Sequence, residues 1–168
     1  DKGYNPYPYR FRPDAFAADL QEKYKELEPG ADTEDRVTVA GRAMAVRNNG
    51  MFIDIKDISG KIQAFCHKNH LSEEDIERLK CLDVGDMVGI SGYVRRTPRG
   101  ELSIAAEKFD IISKSLQPLP EKFHGLTDVD ARYRQRYVDF IMNEDSKEIY
   151  RKRCQITSAV RRWFEENG

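Results

Sequence analysis

The 168-residue chain is 39% apolar and 34% charged, which suits one well-buried domain with an appendage, or two small domains. No apolar run approaches the ~20 residues that a membrane span requires, and no signal peptide is visible at the start. A net charge of -1 excludes a surface coated in basic residues for indiscriminate nucleic-acid binding, but leaves room for a local basic groove.

The Tyr- and Pro-rich lead, Asp1 to Arg12, reads as a stretch that begins mid-chain. Pro13 then opens a predicted helix to about Leu27, with Phe16, Leu20, Tyr24 and Leu27 at helical spacing and Pro29-Gly30 as its stop. Asp32 to Asp35 is an acidic hinge. From Val37 the period changes to two: Val37, Val39, Gly41, Ala43 and Ala45 alternate with Thr38, Ala40, Arg42 and Met44, which predicts a strand. Asn48-Asn49-Gly50 favours positive φ and a tight turn. Phe52, Ile53 and Ile55 make a second strand, and Ile62, Ala64 and Cys66, opposed to Gln63 and Phe65, make a third.

Ser72-Glu73-Glu74-Asp75 starts a helix in the manner of a capping box. Met87 to Val94 is a fourth strand, Thr97-Pro98-Arg99-Gly100 a hairpin tip, and Leu102 to Ile112 a fifth strand. Five short strands with one helix between the third and fourth is the order of an oligonucleotide-binding (OB-fold) barrel. An SH3-like barrel lacks that intervening helix. Gly41, Gly89 and Gly92 fall inside strands, where a small closed barrel needs sharp coiling. The fold class expected is therefore mainly β with flanking helices. The parts are an N-terminal extension and helix (residues 1–36), a five-stranded OB-fold barrel (37–112), a linker (113–125) and a C-terminal helical region (126–168). In that last region Thr127 to Ile141 is dense in Arg and Tyr. Ser146 to Asn167 is an amphipathic helix with Ile149, Ile156, Val160, Trp163 and Phe164 on one face. A helix with that face would not normally finish a domain, so the chain is expected to be truncated.

A barrel of this type stacks single-stranded bases on aromatics around its second and third strands. Phe52 is the candidate platform. Gln63 is the candidate edge reader, since its amide offers a donor and an acceptor that match a uracil edge. Arg47, just before the turn, can meet phosphate or a base carbonyl, and Glu101, beside the hairpin tip, can accept from a base imino or amino group. The bland alternative is that an aromatic in a strand belongs to the core and that an isolated Gln or Glu is merely solvated. Arg132, Arg134 and Arg136 could track a phosphate backbone, or pair with acidic groups at an interface. Cys66-His67-Lys68-Asn69-His70, with Cys81, holds several potential metal ligands, but lacks a second paired motif, so no metal is expected. The sparse cysteines, Cys66, Cys81 and Cys154, show no paired spacing; they fit a reducing, cytoplasmic compartment. No phosphate-cradling glycine loop, Ser/His/Asp set or carboxylate pair is present, so no catalytic residue or cofactor is assigned to this chain.

The segment Leu119-Pro120-Glu121-Lys122-Phe123-His124-Gly125-Leu126-Thr127-Asp128, continuing through Ala131 to Ile141 with its Arg-Tyr-Arg-Gln-Arg-Tyr run, closely resembles the linker of class II lysyl-tRNA synthetases. Aspartyl and asparaginyl relatives share the barrel but carry a different linker. Gly100-Glu101-Leu102-Ser103-Ile104 and Val39-Ala40-Gly41-Arg42 also look like that family, and the resemblance runs from about Arg12 to Gly168. It implies that Phe52 stacks on the central anticodon uridine, Gln63 bonds its edge, and Arg47 and Glu101 complete anticodon reading of tRNA(Lys). It further implies that Ser146 to Gly168 begins the first motif of a catalytic domain that builds a homodimer interface. The motifs that hold ATP, Mg2+ and lysine are absent here. The full-length parent would activate lysine with ATP and charge tRNA(Lys). The alternative is a stand-alone single-stranded nucleic-acid-binding OB domain without catalysis, and a further rival is a structural or dimerisation module that never touches nucleic acid.

Overall fold

The computed structural model describes residues 3–120 and 126–168. Residues up to Pro118 form one compact unit, and Leu119–Gly168 form another. In the first unit five strands, β1 (Asp32–Arg47), β2 (Phe52–Lys56), β3 (Lys61–Phe65), β4 (Met87–Arg96) and β5 (Leu102–Ser113), close into a barrel in the order β1-β2-β3-β5-β4. All neighbours are antiparallel except β3 and β5, whose parallel pairing closes the sheet. Helix α1 (Ala17–Lys23) precedes the barrel, and α2 (Glu73–Leu79) lies between β3 and β4, as expected of an OB fold.

Closure depends on β1, which serves two partners. Asp32–Arg42 pairs with β4 and Arg42–Arg47 pairs with β2, with an irregularity between Ala43 and Ala45 where the strand bends from one to the other. The inward residues are those that alternate in the sequence: Val39, Ala43, Ile53, Ile55, Ile62, Ala64, Val88, Ile90, Val94, Ile104 and Phe109 are all buried. At the β1–β2 turn, Asn48, Asn49 and Gly50 have φ of 50°, 54° and 89°, the left-handed conformations that these residue types tolerate. Ser72 caps α2 by accepting the Asp75 N–H at 3.1 Å and donating its hydroxyl to Asp75 Oδ2 at 2.8 Å.

Two elements differ from expectation. The first helix is shorter, beginning at Ala17 rather than Pro13, because Asp14 and Ala15 donate their N–H groups to Thr38 O at 3.0 and 3.3 Å. That stretch is held along β1, and the helix start is capped from the β2–β3 turn: Asp57 Oδ2 accepts from Ala17 N–H at 2.7 Å and Ser59 Oγ from Ala18 N–H at 3.0 Å. Second, Asp32–Asp35 is strand rather than hinge. Its acidic side chains find cations, Asp32 with Arg95 at 3.1 Å and Asp35 with Lys23 at 2.9 Å. The helical region expected after the linker opens with two short helices, α3 (Val129–Arg134) and α4 (Arg136–Met142), separated at Gln135 with φ -113° and ψ 56°. Residues 121–125 of the expected linker lie outside the described residues.

The second unit is organised on a buried carboxylate. Asp139, fully buried, accepts from Arg132 Nε at 2.9 Å, Asn143 Nδ2 at 2.6 Å and Arg136 NH1 at 2.6 Å, and Arg132 also donates to Ser146 Oγ at 2.7 Å. The final helix α5 (Glu144–Asn167) keeps Ile149, Ile156, Val160, Trp163 and Phe164 exposed. Burial alone would push the Asp139 carboxyl up, but the hydrogen bonds from Asn143, Arg132, Ser146 and Arg136 outweigh it and carry it down to about 2 from 3.8. The sign follows: the unfolded chain takes up this proton first on acidification, so the contribution is complete above pH ~4 and is lost as pH falls towards 2. Asp139→Asn should therefore destabilise the helical unit at pH 7, and the gap between the two proteins should narrow below pH 4. Urea melts followed by circular dichroism at pH 7, 4 and 2.5 test this; a gap independent of pH would refute it.

Candidate nucleic-acid interface

Across the outer face of β2 and β3 runs an open groove of about 840 Å³, flanked by the β1–β2 turn on one side and the β4–β5 turn on the other. Arg47, Phe52, Gln63 and Glu101 all line it, so the structure brings the four sequence-derived candidates together. The pleat is the reason. Phe52 and Gln63 alternate with the buried Ile53, Ile62 and Ala64, so a residue that does not enter the core must face the groove.

Phe52 stands opposite Phe65 in the β2–β3 pairing, with ring centroids 5.2 Å apart and planes tilted by 37°. The Arg95 guanidinium lies over the Phe65 ring at 5.3 Å. Gln63 Oε1 accepts from the buried Ser103 hydroxyl at 2.9 Å, which fixes which way the amide faces. Arg47 reaches Asp54 Oδ1 at 2.6 Å, so its guanidinium is held at the rim by one carboxylate and retains further donors for a ligand. Glu101 is exposed on a turn closed by Thr97 N–H to Glu101 O at 2.8 Å and Glu101 N–H to Thr97 Oγ1 at 3.0 Å. Arg96 pins the same turn through Gly100 O at 2.7 Å, and reaches back to Tyr24 O at 2.6 Å.

The groove also contains residues that sequence reasoning did not single out: Asp54, Lys61, Phe65, Arg95 and Arg99. Phe65 had a usable signal, since it shares the strand face of Gln63 and falls opposite Phe52. Arg95 had none, because only closure of β4 against β5 carries it to that face. With Arg47, Lys61, Arg95 and Arg99 against Asp54 and Glu101, the groove is locally basic although the chain as a whole is not.

Elsewhere the chemistry is structural. Arg132 on α3 and Arg136 on α4 are both engaged by Asp139 of α4, and Arg134 donates to Asp130 of its own helix at 2.6 Å, so these arginines are held by acidic partners within the helical unit. Cys66 faces the core, where burial pushes its thiol up to about 12, while His67, just beyond the end of β3, is half-buried. Among the described residues no group of three or more His, Cys, Asp or Glu is placed to hold a metal ion. No helix among them is long and apolar enough to cross a membrane.

Comparison with known proteins agrees with this geometry. Residues 37–112 match the family described as OB-fold nucleic acid binding domain. A lysine–tRNA ligase of Sinorhizobium medicae is 49% identical over 162 residues, covering 96% of this chain and 32% of that protein. One from Rhizobium etli is 50% identical over the same shares. The chloroplastic/mitochondrial lysine–tRNA ligase of Arabidopsis thaliana is 45% identical over 173 residues, covering 99% of this chain and 29% of its own length. The chain thus spans about a third of the length of the relatives it matches. With the barrel closed in OB order and this identity running through barrel and helices alike, the chain belongs to the lysyl-tRNA synthetase family and carries its anticodon-binding OB domain.

Proposed function

We propose that the groove reads the anticodon of a lysine tRNA. The observation that carries this is the convergence of Phe52, Gln63, Arg47 and Glu101 on one locally basic groove of an OB barrel. Splayed anticodon bases lie across β2 and β3, the central uridine stacks on Phe52, and the oriented Gln63 amide meets its edge. Arg47 and Glu101, on the turns at either side, contact the neighbouring bases or their phosphates. A wrong base leaves these polar groups unpaired, and the cost of that loss is what discriminates. In a protein of the relatives' length this region supplies recognition. The remainder activates lysine with ATP and Mg2+ and transfers it to the tRNA, as a homodimer in the cytoplasm.

The test is a titration of the 168-residue chain with a lysine-anticodon stem-loop and with one whose central uridine is replaced, at one fixed salt concentration. The expected result is a clear preference for the former. Equal affinity for the two, with a steep salt dependence, would instead identify a generic single-strand binder.

A further inference from the structure

The ring pair in the groove does not end there. Phe65 continues to His67 at 5.7 Å and 31°, His67 to His70 at 5.9 Å and 63°, and His70 to Tyr93 on β4 at 6.3 Å and 78°. The low angles make Phe52, Phe65 and His67 one nearly continuous floor. At its end His70 stands edge-on to His67, and Tyr93 stands edge-on to His70 in turn. None of these rings belongs to the buried core, and His70 is exposed. The backbone N–H of Asn69 donates to His67 Nδ1 at 3.3 Å, which orients the ring and leaves Nε2 as its other polar atom.

We infer that His67, His70 and Tyr93 form a further base-stacking subsite, which takes the unpaired nucleotide adjoining the anticodon in the same RNA strand. This rests on the anticodon reading of the groove. The occupant follows from continuity: Phe65 lines the groove and is also the first ring of the extension, so a strand lying on Phe52 and Phe65 is led onto His67. Arg95, over Phe65 at 5.3 Å, stands at the junction where the connecting phosphate passes. OB folds engage about 4–16 nucleotides, more than the anticodon itself supplies, so a strand held here continues past the groove. Aromatic faces tolerate any base, so the subsite adds affinity and register rather than selectivity.

The experiment titrates the 168-residue chain with three lysine-anticodon stem-loops: one intact, one abasic just 5′ of the anticodon and one abasic just 3′ of it. The wild type should lose roughly 5-fold or more with one of the two abasic hairpins. His70→Ala and Tyr93→Ala should each lose a similar factor with the intact hairpin and little more with that abasic one, while Tyr93→Phe binds like wild type. Preference for the central uridine should persist in every variant. Additive losses on both abasic hairpins, or wild-type binding by His70→Ala and Tyr93→Ala, would overturn the subsite while leaving the uridine preference intact. Equal binding of wild type to the intact hairpin and to one with its central uridine replaced would overturn the anticodon reading and the subsite together.

Discussion

Phe52→Ala should weaken binding of the lysine-anticodon hairpin by about 10- to 100-fold, since one base–aromatic stack contributes ~1–3 kcal/mol. The loss should extend to hairpins of other sequence, because a phenyl face accepts any base. Gln63→Ala should behave differently, with a modest change in affinity but a ratio between cognate and altered hairpins that falls towards one. Ser103 separates the two effects. Its hydroxyl holds the Gln63 carbonyl at 2.9 Å from within the sheet, so Ser103→Ala leaves the Gln63 amide in place but free to turn over. Partial loss of selectivity with near-normal affinity is the expected outcome. Anisotropy titrations of the three variants against both hairpins check this. Wild-type affinity and selectivity in Phe52→Ala and Gln63→Ala would remove the groove from the mechanism.

Gly92→Ala should be the most damaging single-methyl addition in the barrel. A Cβ at Gly92 would sit 2.0 Å from Ala105 O and 2.8 Å from Ala105 C, backbone atoms of β5 that cannot swing aside. The site coincides with the register shift between Ser91 and Gly92, where β4 coils to bring the sheet round. Overpacking a core usually costs ~1–3 kcal/mol, and relief here requires two strands to part, so a loss at or above that upper figure is expected. Gly89→Ala is the internal control. The three atoms nearest its Cβ all belong to the Phe11 ring, the closest 2.2 Å away, and a side chain can swing aside where a paired strand cannot. Thermal melts should rank wild type above Gly89→Ala and Gly89→Ala well above Gly92→Ala; equal melts for the two variants would show that the strand contact does not limit stability.

The sequence by itself determined the five strands, their inward faces, the Asn48–Gly50 turn and the capped second helix. Each is governed by neighbours within a few residues, through the two-residue pleat, positive φ at Asn and Gly, and a serine at a helix start. The candidates Phe52 and Gln63 were legible for the same reason, because alternation leaves them no place in the core. Only the tertiary structure decided what depends on distant backbone. Asp14 and Ala15 leave the first helix for Thr38 O, and the acidic run Asp32–Asp35 becomes strand once β4 lies beside it. Arg132 and Arg136, ambiguous as a bare basic cluster, are drawn together across two helices by one buried carboxylate, Asp139 of α4. Arg95 and Tyr93 reach the groove and its extension only because β4 closes against β5, a pairing between residues that no local pattern connects. Local geometry sets which way each side chain points, and barrel closure sets which of those side chains meet.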